Sequence, residues 1–156
     1  MKVTTTRFGE IEFPDHTLLR FPSGIIGFPE STRFVILDHD REAPFKWLQS
    51  ADEPWLAFVI MDPASFKPDY CPDVDPMELF DIGSPPDDDR LQFVILTVPH
   101  GDPSGITANL RGPVMVNERT RQAKQVILKE ELPTRYPVFS RPSDAVSARP
   151  ELVASR

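Results

Sequence analysis

The chain has 156 residues, of which 24 are acidic and 17 basic, for a net charge of −7. That length suits one domain with one sizeable core, and the acidic balance argues against general affinity for RNA or DNA, whose phosphates need Lys and Arg surfaces. Cys71 is the only cysteine, which excludes an intrachain disulfide framework and a thiolate metal cluster, and fits a reducing compartment.

From Met1 to Arg7 there is no apolar run of the kind a signal peptide carries. No apolar run elsewhere approaches the ~18 residues of a membrane span. The expectation is a cytoplasmic protein that does not enter a membrane. The 18 prolines are spread along the whole chain, and an internal proline costs a helix about 3 kcal/mol. Short β-rich runs between turn residues recur instead.

In chain order, weak strand candidates come first, at 2–6, 10–13 and 17–21. A strong one, Arg33-Phe34-Val35-Ile36-Leu37, stops at Asp38. A weaker run at 45–49 precedes Leu56-Ala57-Phe58-Val59-Ile60-Met61, which stops at Asp62-Pro63. The run 91–98 ends in Pro99-His100-Gly101-Asp102-Pro103. A weak candidate at 107–110, a short run at 114–116 after Gly112-Pro113, and Gln125-Val126-Ile127-Leu128 complete the set. Helix is confined to single turns: Asp75-Pro76-Met77-Glu78 has a cap residue, proline at the first helical position and Glu at the third. Asp62-Pro63 is a weaker start of the same kind.

Several central runs are apolar on both alternating faces, so both faces must be covered. The fold class that follows is all-β: a small antiparallel β-barrel-like single domain over 1–132, with one or two short helical turns. Residues 133–156, rich in Pro, Ser, Ala and Arg, read as a flexible C-terminal extension.

A search for chemistry yields little. His16, His39 and His100 show no metal-binding spacing, and there is no Cys-x-x-Cys. With seven glycines, no phosphate-cradling loop stands out. Cys71 with His100 could serve as nucleophile and base, but the surrounding acids raise a thiol pKa and work against a reactive thiolate. A small-ligand or nucleotide-binding β-barrel is the alternative reading; it suffers from the lack of a compact basic cluster. The Asp87-Asp88-Asp89 run lacks EF-hand spacing and reads as a solvated loop rather than a Ca²⁺ site.

Charge is uneven. Residues 69–89 hold eight acidic side chains and no basic one. Such a stretch can steer a basic protein partner, and Asp87, Asp88 and Asp89 are candidates for part of that field. Asn109 and Arg111 would share one face of a strand beside a Gly-Pro break, as a polar partner contact; the plainer reading is that Asn109 ties down a turn with its own side chain.

Five blocks in order carry a resemblance. They are Phe21-Pro22-Ser23-Gly24-Ile25-Ile26-Gly27-Phe28-Pro29, Pro44-Phe45-Lys46-Trp47-Leu48-Gln49-Ser50, Leu56-Ala57-Phe58-Val59 with Asp62-Pro63, Phe66 and Asp69-Tyr70, Thr107-Ala108-Asn109-Leu110-Arg111-Gly112-Pro113-Val114, and Asn117 with Gln125-Val126-Ile127-Leu128. Over roughly residues 3–128 the chain resembles the flagellar assembly factor FliW family. The tail after Tyr136 matches nothing in that pattern.

The resemblance implies a binding protein with no catalytic activity and no cofactor. It implies two partners: flagellin, held in the cytoplasm before export, and the carbon storage regulator CsrA, an RNA-binding repressor of flagellin translation. No direct nucleic-acid binding is implied, and a monomer is expected. For flagellin, an apolar groove that takes an amphipathic terminal helix is expected. Phe66 and Tyr70, beside the Asp62-Pro63 turn, are candidate groove residues, and Asn117 is a further candidate contact.

Overall fold

Along the strand Arg90–Thr97, Phe93 and Ile95 point into one apolar cluster, and Val94 and Leu96 point into another. The strand is covered on both faces, as its unbroken apolar run requires. The same division holds at Phe58 and Ile60 against Val59 and Met61. It holds again at Val114 and Val116 against Met115. A closed barrel with material packed outside it produces this pattern.

The computed structural model describes residues 1–38, 44–99 and 103–139. Its strands are β1 (Lys2–Thr5), β2 (Gly9–Glu12), β3 (Leu19–Arg20), β4 (Arg33–Leu37), β5 (Phe45–Ser50), β6 (Ala57–Met61), β7 (Arg90–Thr97), β8 (Thr107–Ala108), β9 (Val114–Asn117), β10 (Gln122–Gln125) and β11 (Tyr136–Pro137). The one α-helix among the described residues, α1, spans Pro76–Phe80, and short 3-10 turns lie at Asp15–Thr17, Pro63–Ser65, Asp87–Asp89 and Pro103–Gly105. Both expected helix starts are present. The Asp75 side chain accepts from the Met77 amide, and the Asp62 side chain accepts from the Ala64 amide.

β7, β6, β5, β4, β3, β10 and β9 follow one another around the barrel. β7 closes it by pairing twice. Its first half, Arg90 to Phe93, runs antiparallel to β9, and its second half meets β6 from Met61 opposite Val94 onward. The seam between β3 and β10 is the parallel pairing, with Gln122 opposite Arg20. Leu19, Phe21, Phe34, Leu48 and Ile60 fill the interior and are almost wholly buried. At about 25 cal/mol per Å² of apolar area, such a cluster supplies the main drive to fold. β1 and β2 form a separate hairpin that packs through Val3 against Phe13, Leu18 and Val35.

The Phe21–Pro29 block makes a tight corner. Gly24 has φ +68°, and a Cβ there would lie 2.4 Å from the Phe28 carbonyl oxygen. Only glycine fits such an approach.

Three expectations need correction. The run 125–128 is not one strand: β10 ends at Gln125. Val126 and Leu128 still donate to the carbonyls of Pro113 and Arg111, but Pro113 has no N–H to return and the ladder stops. Asn109 and Arg111 do not share a strand face. β8 ends at Ala108, and the Asn109 side-chain oxygen accepts from the amides of Arg111 and Gly112 at 3.0 and 3.1 Å. That is the turn-tying role. Finally, the boundary at 132 falls short of the ordered fold. β11 pairs with β8, and Val138 is buried, its amide bonded to the Ile106 carbonyl. Residues 140–156 of the expected extension lie outside the described residues.

Candidate functional site

The outer face of β9 and β10 is roofed by the segment that runs from Tyr70 through α1 to Ile82. Ile82, Met115, Val126 and Leu128 form the apolar layer beneath it, with Val74 and Leu79 packed on top. Lys124 on β10 fastens the roof: its ammonium meets Glu78 at 2.5 Å and Asp81 at 2.6 Å. Burial alone lowers the pKa of Lys124. The hydrogen bonds to Asp81 and Glu78 outweigh it and hold the ammonium above the ordinary lysine value. α1 therefore turns Glu78 and Leu79 inward and leaves Met77 and Phe80 facing outward. Met77 and Phe80 are each 68% exposed.

Beside α1 runs a groove of about 340 Å³. Asp73, Asp75 and Glu78 form one wall, Lys129 and Glu130 the other, with Val126, Ile127 and Leu128 along it. The Asp73 amide donates to the Glu130 carboxylate at 2.8 Å, which ties the walls together. Ile127, just past the end of β10, is 53% exposed.

The acidic stretch 69–89 has no base of its own, yet the fold brings bases to it. Asp69 meets Lys67, Glu78 and Asp81 meet Lys124, Asp87 meets Arg90, and Asp89 lies 4.0 Å from Arg119. Asp73, Asp75 and Asp88 have no ion pair among the described residues. The field of the segment therefore comes mostly from Asp73 and Asp75 on the groove wall and from Asp88 on the turn before β7.

The other candidate residues lie apart from one another. Tyr70 is half-buried and donates its hydroxyl hydrogen to the Leu110 carbonyl at 2.5 Å. Burial, with Glu130 nearby, pushes its phenol above the ordinary tyrosine value. Phe66 packs against the outer cluster, 5.9 Å from the Tyr136 ring. Asp62 is exposed and caps the 3-10 turn. Arg111 donates to the Leu128 carbonyl and lies 3.6 Å from Glu131, beyond the groove. Asn117 is buried; its amide nitrogen donates to the Ile82 carbonyl at 2.7 Å and its oxygen accepts from the amides of Arg119 and Thr120. It holds the roof and the β9–β10 turn rather than offering a surface. Cys71 is exposed, and His100 lies outside the described residues. No cluster among the described residues could hold a metal ion.

A family model described as FliW protein matches residues 2–138. The flagellar assembly factor FliW of Leptospira biflexa is 41% identical over 133 residues, covering 84% of this chain and 87% of that protein. The same-named protein of Natranaerobius thermophilus is 35% identical and covers 90% and 93%. A crystal structure of the flagellar assembly factor FliW superposes with a TM-score of 0.83 at 36% identity, covering 91% of this chain and 99% of that one.

The chain belongs to the FliW family. The FliW fold here presents a second surface that the sequence does not announce. On the outside of β5, β6 and β7, Trp47, Val59, Leu96 and Val98 line a cleft of about 480 Å³. The Arg7 guanidinium lies 4.5 Å from the Trp47 ring centre. This contact joins residues forty positions apart, and no local pattern signals it. One wall of the groove beside α1 is more legible, because Asp73, Asp75 and Glu78 fall within six residues of sequence.

Proposed function

We propose that this chain is a flagellar assembly factor that binds flagellin in the cytoplasm and, once released, binds and antagonises CsrA, relieving repression of flagellin translation. It acts by binding alone, without catalysis or cofactor, and as a monomer. Family membership supports the flagellar role. Among the described residues no helix is long and apolar enough to cross a membrane, in keeping with a cytoplasmic site of action.

The observation that carries the CsrA half is the set of carboxylates without an ion pair among the described residues, two of them on the wall of the groove beside α1. Asp73, Asp75 and Asp88 project uncompensated charge, while Ile127 and Met77 supply exposed apolar contact. An RNA-binding protein must present a basic surface. An acidic-apolar face can dock beside such a surface and repel incoming phosphate.

The test is titration of CsrA against the chain and its Asp73→Asn, Asp75→Asn, Asp88→Asn triple variant at low and physiological salt. Asn keeps the helix cap at position 75, so the fold is retained. Affinity should fall about tenfold, with a shallower salt dependence. Unchanged affinity and unchanged salt dependence would remove this face from the CsrA reading.

A further inference from the structure

We propose that the free edge of β2 is a docking site for an extended basic segment of a partner protein, which adds as a third strand beside Glu10 and Glu12. This goes beyond the proposed function and involves neither the groove beside α1 nor the outer face of the barrel.

The pairing of the β1–β2 hairpin fixes which backbone groups look outward. The Met1 nitrogen donates to the Phe13 carbonyl, and the Phe13 amide donates to the Met1 carbonyl. Hydrogen-bonded and non-bonded pairs alternate along an antiparallel ladder. Lys2 stands opposite Glu12, Val3 opposite Ile11, Thr4 opposite Glu10 and Thr5 opposite Gly9. Counting from Met1 and Phe13, the next bonded pairs are Val3 with Ile11 and Thr5 with Gly9. Glu10 and Glu12 therefore aim their N–H and C=O groups away from β1.

Nothing among the described residues takes up those groups. β2 pairs with β1 alone, and no other hydrogen bond reaches Glu10 or Glu12. Gly9, Glu10 and Glu12 are exposed, and only Ile11 turns in, toward Val3 and Val35. The other side of the hairpin differs: just past β1, the Thr6 amide donates to the Pro54 carbonyl in the loop after β5. The outer edge of β2 is thus an open template for strand addition.

Charge selects the occupant. Glu10 and Glu12, two residues apart, carry their carboxylates on one face of the strand. Neither has an ion pair among the described residues, Lys2 included, although it stands opposite Glu12. A strand laid along β2 places side chains directly opposite both glutamates, where opposite charges stabilise and like charges repel. The segment that fits carries Lys or Arg at two positions separated by one residue. A second copy of this chain does not fit, because β2 against β2 sets Glu10 and Glu12 against themselves. The last residues of this chain do not fit either, since Arg141, Arg149 and Arg156 stand seven or more positions apart. The carboxylates that bar a copy of the chain from this edge admit a basic strand.

The test titrates the full chain, amide by amide in NMR, with a short peptide that alternates lysine and threonine. A peptide that alternates glutamate and threonine is the control. The lysine peptide should shift the Glu10 and Glu12 amides and protect them from exchange, while the Ile11 amide, already bonded across the hairpin, keeps its protection. Glu12→Pro removes an outward N–H that the β1 ladder does not use, and should weaken the peptide about fivefold. Glu10→Lys with Glu12→Lys, both at exposed positions, should weaken it more than tenfold. Unchanged thermal melts show that the fold is kept. Binding that leaves the Glu10 and Glu12 amides unprotected, or that survives Glu12→Pro at full strength, would be charge attraction without strand addition and would overturn the proposal. Equal binding of the glutamate peptide, or no binding of the lysine peptide, would overturn it as well.

Discussion

The hydroxyl of Tyr70 donates to the carbonyl of Leu110 at 2.5 Å, across forty residues of chain. This bond pins the start of the acidic roof to the turn that Asn109 organises. It joins the outer cluster around Leu96 and Leu110, on which Tyr70 packs, to the groove formed beyond it. Tyr70→Phe keeps the packing and deletes the bond. It should lower stability by about 1 kcal/mol, read as a shift in denaturation midpoint with an unchanged slope.

The same residue gives a pH dependence with a definite sign. The folded-state pKa of Tyr70 is raised by burial, with Glu130 adding repulsion. The folded chain therefore holds the proton more tightly than the unfolded one. The stabilisation is fully present below the ordinary phenol value near 10 and is lost as pH rises through the folded value. Melting between pH 8 and pH 11 should fall more steeply for the unaltered chain than for Tyr70→Phe. Parallel curves would show that Tyr70 titrates as an exposed phenol.

Lys124 is expected to hold α1 in place. Lys124→Met removes both ion pairs and leaves Glu78 and Asp81 facing each other. Because these carboxylates are partly exposed, the cost is held to about 1 kcal/mol by solvent screening. Hydrogen exchange of the α1 amides should accelerate well beyond what the global loss explains, since the roof opens locally.

Two glycines in one corner should respond unequally. At Gly24 a Cβ meets the Phe28 carbonyl oxygen at 2.4 Å, whereas at Gly27, with φ +90°, it meets nothing within 4 Å. Gly27→Ala should cost about 1–2 kcal/mol for the left-handed backbone alone. Gly24→Ala should cost more, because backbone must also move. Equal melting temperatures for the two variants would contradict this geometry.

Strands β4, β6 and β7 are legible in the sequence because each is an apolar, β-branched run closed by Asp or Pro. Their two-sided burial is legible too, since both alternating faces are apolar. β11 is not: Tyr136–Pro137 is two residues long, contains proline, and is defined by its pairing with β8 rather than by any pattern of its own. The break after Gln125 is hidden for a similar reason, because it depends on which residue lies opposite. Of the candidate site, the acidic run is visible, but its effective charge is not. Lys67 and Arg90, at its two ends, pair with Asp69 and Asp87, and the fold adds Arg119 and Lys124 from distant sequence, so most of it is neutralised. Asn109 and Asn117 stand out as polar residues in apolar surroundings, and the structure engages both in internal hydrogen bonds.

The most direct measurement is titration calorimetry of the full chain against the same organism's flagellin and CsrA, singly and then in competition. The predicted result is binding of each partner alone, with saturating flagellin weakening the binding of CsrA. Binding to neither partner by a chain shown to be folded would contradict the proposed function at its centre.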